Sequence, residues 1–166
     1  MDVAHRLSAR VGDALQQRRL TLATAESCTG GWVSQVLTSI PGCSQWFERG
    51  YITYSNRSKE EMLGVPGALI EREGAVSEAV VRAMAEGVLE RSPARVSVAI
   101  SGIAGPEGGT PSKPVGTIWL AWATAGQPTR ARSSHFAGDR EMVRQQAVMA
   151  ALQGVLDLVG RLDGAA

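Results

Sequence analysis

Cysteine and histidine are scarce in this chain: Cys28 and Cys43, His5 and His135, in 166 residues. Two cysteines outside any paired C-x-x-C pattern suggest neither a disulfide framework nor a zinc site, and both are expected to be reduced, packed thiols. The two histidines fall in the first predicted helix and near the end of a weak strand, so no Ser-His-Asp arrangement is in view. With no acidic cluster either, no metal site is expected. Surplus charge is also missing. Seventeen basic against sixteen acidic residues leave +1, with no basic run or basic helix face, which argues against nucleic acid as a partner. The longest apolar stretches, such as Val115 to Ala125, fall well short of the ~20 residues of a membrane span. The first residues also lack a charged-then-apolar leader pattern. A soluble, cytoplasmic protein with no membrane partner is the expectation.

What is present reads as one domain over residues 1–166, of globular composition, 44% hydrophobic and 20% charged, with its glycines gathered in loops. Val3, Leu7, Val11 and Leu15 repeat at helical spacing and predict a helix over 3–18. Leu20 to Ala25 reads as a buried strand, and Trp32 to Ile40 as a helix stopped by Pro41-Gly42. A second strand is expected at Tyr51 to Tyr54. Ser58 and Glu61 have capping-box spacing for a helix through Leu63, and Ser77 opens a helix to Arg91. Arg95 to Ser101 and Val115 to Thr124 are strand-like, and Thr129 to Phe136 is a weaker edge strand. A last helix runs from Asp139 as N-cap to Leu162. Helices interleaved with strands predict an α/β fold, a three-layer α/β/α sandwich around a mixed, mostly parallel sheet of about five strands. The short Gly-Gln-Pro connection makes the last two strands antiparallel.

In such sheets ligands gather beyond the carboxyl ends of the parallel strands. Three segments end there: "AESCTGG", "YSNRSK" and "SGIAGPEGGTPSKP". In the first, the sharp strand-to-helix turn exposes Ser27 or Cys28 as a nucleophile, with the amides of Thr29, Gly30 and Gly31 near a helix start. The plain alternative is that Ser27 or Thr29 only caps that helix, and chemistry alone leaves serine and thiol both open. Lys59 is the remaining base, provided it is desolvated beside Tyr54; a solvated lysine in a first helical turn is the alternative. The loop from Gly102 to Pro114, with four glycines and three prolines, can turn amides toward an anion, and Arg140 can add a charged phosphate contact.

"TAESCTGGW", "WFERGYITYSN" followed by Lys59, "GAVSE", "AISGIAGPEGG", "KPVGT" and "GDR" at Gly138 to Arg140 occur in this order from about His5 to Leu162. This series resembles the nicotinamide-nucleotide amidase family, the stand-alone form of the CinA (competence-damage-inducible protein) C-terminal domain. The resemblance implies hydrolysis of the carboxamide of nicotinamide mononucleotide to nicotinate mononucleotide and ammonia, in pyridine nucleotide salvage, without metal or other cofactor. It also implies Ser27 as nucleophile, Lys59 as base and Tyr54 as supporting phenol, with Cys28 only packing. Thr29, Gly30, Gly31, Asn56, Gly102, Ala104, Gly105 and Arg140 are the expected substrate contacts, and a homodimer is the expected assembly. Arg57-Ser58 departs from the family's usual pattern between key positions. Two other classes stand beside this one: a non-catalytic nucleotide-binding module lacking a working Ser/Lys pair, and a partner-binding module in competence or DNA damage.

Overall fold

The computed structural model describes residues 2–163. Helix α1, Val3–Gln17, is capped by Asp2, whose carboxylate accepts the His5 N–H at 2.8 Å. Then follow β1 (Leu22–Glu26), α2 (Trp32–Thr38), β2 (Phe47–Ile52), α3 (Asn56–Leu63), α4 (Gly67–Glu73) and α5 (Glu78–Arg91). The chain continues through β3 (Val96–Gly102), β4 (Thr117–Thr124) and β5 (Arg130–His135) into the long α6 (Arg140–Asp163). The strands form one mixed sheet in the order β2-β1-β3-β4-β5. β1 pairs in parallel with β2 and β3, while β3–β4 and β4–β5 are antiparallel, so only β4 runs against the rest.

Alternation along the strands builds two unlike faces. Leu22, Val96, Val98, Ile100, Ile118, Leu120 and Trp122 point toward the layer of α1, α2 and α6. Their neighbours Ala23, Ala25, Ala99, Ala121 and Ala123 face Val80, Val81, Met84 and Val88 of α5. Bulky residues on one face and alanines on the other let α5 lie close against the sheet. The buried Ser97 hydroxyl accordingly donates to the α5 carbonyl of Ala85 at 2.7 Å. The three-layer sandwich expected from the sequence is therefore present.

Three local expectations need correction. β2 occupies Phe47–Ile52, not Tyr51 to Tyr54, because a sheet-edge strand with exposed Arg49 and Gly50 shows no apolar alternation. α3 is capped by Ser55, whose Oγ accepts the Ser58 N–H at 3.0 Å, so Ser58 is inside the helix. Glu61, the supposed capping-box partner, instead pairs with Arg57. α4 was not expected, since it begins on Gly67 directly after Pro66 and is only seven residues long. The other caps hold: Ser77 Oγ accepts from Val80 N, and Asp139 Oδ1 accepts from Met142 N.

Candidate active site

The carboxyl ends of the parallel strands β1, β2 and β3 lie side by side, and the backbone ladder continues one residue beyond β1. Ser27 N–H donates to Ile100 O at 3.1 Å, and Thr53 N–H donates to Glu26 O at 2.8 Å. Ser27 is thereby fixed between its two neighbours, with its hydroxyl facing the start of α3. Lys59 and Leu63 are the two buried residues of α3, one turn apart on the same stripe. That spacing carries the lysine inward, leaving it 1% exposed.

The Lys59 amine makes three contacts, to Ser27 Oγ at 2.9 Å, Thr53 O at 2.7 Å and Tyr54 O at 3.1 Å. No carboxylate is among them. Burial therefore pushes its pKa down to about 8, only partly opposed by the nearby Cys28 sulfur. The Cys28 thiol is displaced the other way. Burial raises it to about 11 against the smaller pull of its own backbone N–H and of Arg144, so a thiolate is strongly disfavoured near neutrality. Of the two candidate nucleophiles left open by the sequence, the serine has the lysine amine beside it.

The cavity over this pair, about 220 Å³, is lined by Ser27, Tyr54, Lys59, Ser101, Gly102 and Arg140 among others. Cys28 and Ala104 also form its wall, and among the described residues no carbonyl accepts the amide N–H of either. Tyr54 meets the lysine through its carbonyl, and the residue, 63% exposed, is among those that line the cavity. Arg140 turns Nη1 to the Gly105 carbonyl at 2.8 Å, tying that loop to the first turn of α6. Larger openings exist, including a groove of about 710 Å³ between α1 and α6, but that groove holds no nucleophile and base together.

Several sequence-picked residues lie off this wall. Thr29 is fully buried and gives its hydroxyl to Glu26 at 2.7 Å, and the Gly30 amide is taken by Ser27 O at 3.1 Å. Thr29, Gly30 and Gly31 border a separate opening beside Trp32 and Arg144. Asn56 is exposed on the first turn of α3. Two further residues escaped the sequence reading. Glu26, 0% exposed, accepts from Thr29 Oγ1, Val33 N, Ser34 N and Ser34 Oγ at 2.7 to 3.0 Å, holding the start of α2. Arg144 donates to the carbonyls of Cys28 and Thr29. The alternation that puts Leu22 and Thr24 on the α2 side of β1 also points Glu26 there, and was the available signal.

The family profile described as CinA C-terminal domain matches residues 4–159. The chain belongs to the CinA C-terminal domain family. Among curated relatives of this CinA-type chain, nicotinamide-nucleotide amidohydrolase PncC of Pseudomonas putida is 51% identical over 158 residues, covering 95% of this chain and 98% of the relative. The protein of the same name from Escherichia coli K12 is 54% identical over 147 residues, 89% of each chain. Among solved structures, the competence/damage inducible protein CihA of Agrobacterium tumefaciens superposes with a TM-score of 0.93 at 36% identity, covering 95% of this chain and 96% of that one.

Proposed function

We propose that this protein is a nicotinamide-nucleotide amidohydrolase that converts the carboxamide of nicotinamide mononucleotide to nicotinate mononucleotide and ammonia. The observation that carries this reading is the Ser27 hydroxyl held 2.9 Å from a buried lysine amine with no carboxylate partner. Relatives named nicotinamide-nucleotide amidohydrolase, 51% and 54% identical over most of the chain, support the substrate class.

In the neutral amine two hydrogens serve the Thr53 and Tyr54 carbonyls, and the lone pair remains for the Ser27 proton. Ser27 Oγ adds to the carboxamide carbon while Lys59 Nζ takes the hydroxyl proton. The amides of Cys28 and Ala104 are our assigned donors to the resulting oxyanion. Collapse breaks the C–N bond, the Lys59 ammonium returns its proton to the departing nitrogen, and ammonia leaves an ester on Ser27. Water then gives one proton to Lys59 and its oxygen to the ester carbon. The Ser27 oxygen departs with the proton from Lys59, and the acid product ionises. One water is consumed per turnover.

Tyr54 borders the nicotinamide end, and Gly102, Ala104 and Arg140 form the wall we assign to the ribose phosphate, while Gly105, off that wall, meets it only through Arg140. The same reading carries a cytoplasmic homodimer, testable by sedimentation. Among the described residues no helix is long and apolar enough to cross a membrane. Ammonia release from nicotinamide mononucleotide is the direct test. Wild type should release it, and Ser27→Ala should lose at least roughly a thousandfold in kcat. Folded wild-type protein that releases none refutes the reading.

A further inference from the structure

The turn that presents Ser27 is weakly held by its own backbone. Gly30 and Gly31 both have positive φ, +59° and +102°, a conformation glycine adopts freely and that does nothing to stiffen the chain. Within the turn, Ser27 O accepts from Gly30 N, and Thr29 O accepts from Trp32 N. Among the described residues no backbone N–H reaches the Cys28 carbonyl. Something outside the turn must hold the residue next to the nucleophile.

Arg144, one turn beyond Arg140 on α6, reaches it. Its Nε donates to Cys28 O at 3.0 Å and its Nη2 to Thr29 O at 3.2 Å, while the guanidinium lies 5.3 Å from the ring centroid of Trp32 at the start of α2. One planar fork thus grips two consecutive carbonyls and rests on the helix that follows them. A lysine, a single point of charge, cannot reproduce that geometry. Arg144 does not line the cavity over Ser27, whereas Arg140 does.

We infer that Arg144 is a positioning residue, which fixes the nucleophile turn from α6 and so keeps the Ser27 hydroxyl in line with the Lys59 amine. It does not touch substrate, so its loss is felt in kcat and not in KM. The kinetic part of this inference rests on the amidohydrolase reading; the structural part does not, because Cys28 is a built-in reporter. Its thiol is buried under the same turn, and loosening the turn exposes it.

The test uses Arg144→Ala and Arg144→Lys in a Cys43→Ser background, with Val155→Ala as a control that weakens α6 away from the turn. With a disulfide reagent such as DTNB, Cys28 in Arg144→Ala should react at least about tenfold faster than in the parent, and in the Val155→Ala control at the parental rate. With nicotinamide mononucleotide, kcat should fall by about ten- to a hundredfold, the scale expected for a misplaced reacting group. KM should stay within about twofold, and the midpoint of the pH profile should not move. Arg144→Lys should fall between parent and alanine in both readouts, which keeps the test decisive if the alanine variant does not fold. A parental Cys28 rate in the alanine variant overturns the inference, as does full kcat in the lysine variant. A raised KM with unchanged kcat overturns it too, making Arg144 a substrate contact. If the parent turns over no nucleotide, the amidohydrolase reading fails, and the thiol measurement still decides whether Arg144 holds the turn.

Discussion

Replacing Lys59 by methionine, a side chain of similar length without charge, isolates the cost of burying the amine. The pKa falls from an ordinary 10.5 to about 8 in the fold. At 1.36 kcal/mol per pKa unit, the folded state near neutrality bears about 3 kcal/mol of unfavourable ionisation. Between pH 8 and 10.5 the unfolded lysine holds a proton that the folded one has released. Stability therefore rises with pH through that window, and the cost is present in full below it. Cys28 acts in the opposite sense. Its folded pKa of about 11 lies above its ordinary 9.0, so it draws stability down from pH 9 upward. Cys28 is present in both proteins, and its contribution largely cancels when the variant is subtracted from wild type. Methionine leaves the Thr53 carbonyl without its donor, at about 1–3 kcal/mol, and the Tyr54 carbonyl with only the long contact from the Ser27 hydroxyl at 3.4 Å, a penalty that does not vary with pH. Urea unfolding at pH 7 and pH 10 should thus show wild type gaining about 2–3 kcal/mol on Lys59→Met over that interval. In parallel, wild-type kcat/KM should rise with pH through a midpoint near 8. A constant difference between the two proteins refutes the reasoning, for Lys59 would then ionise as an exposed lysine does and could not serve as the neutral base.

Three further outcomes follow from the site. Cys28→Ala should keep most of the activity, since a thiol held near 11 supplies little thiolate at neutral pH; a loss as large as that of Ser27→Ala would move the nucleophile to the sulfur. Arg140→Ala should raise KM for the mononucleotide about tenfold or more through loss of a charge-assisted hydrogen bond, with little change for the uncharged riboside. Equal losses on both substrates would mean that Arg140 matters only through Gly105. Glu26→Gln keeps the shape but turns an NH₂ group toward donors, and should lower stability by about 2–4 kcal/mol in urea. An unchanged midpoint would show that the carboxylate is dispensable at the start of α2.

The layers of the fold were legible because they rest on burial, which writes its period into the sequence. The helical spacing of Leu7, Val11 and Leu15, though not the exposed Val3, and the apolar runs of β3 and β4 are of that kind. β2 and α4 are not: one lies at an exposed sheet edge and the other is two turns long, so neither carries enough buried residues to set a pattern. The cap of α3 was ambiguous for a different reason. Ser55 and Ser58 each stand three residues before a polar residue, and only tertiary contact chooses between them. That choice matters for the chemistry. With Ser58 as cap, Lys59 would open the helix in solvent; with Ser55 as cap, it shares the inward stripe of Leu63 and loses its water.

The Ser27–Lys59 pair was named from the sequence, but what holds it was not, and the reason lies in how buried charge is stabilised. A glutamate at a strand end and an arginine on a helix both read as surface residues, since either buried alone would cost several kcal/mol. Neither is alone. Glu26 is surrounded by two backbone amides and two hydroxyls from Thr29, Val33 and Ser34, and Arg144 spends its donors on two carbonyls of the same turn. The carboxylate grips donors left over at the start of α2, while the guanidinium grips acceptors left over before it. A turn built on two left-handed glycines has both kinds of orphan, and a charged side chain of matching sign meets each. Arg144 lies more than a hundred residues from the carbonyls it grips, so no local motif could announce it, whereas Glu26 was announced only by the alternation along β1. The turn that follows Ser27 is thus held by a carboxylate on one side and a guanidinium on the other, while the serine itself bears no charge.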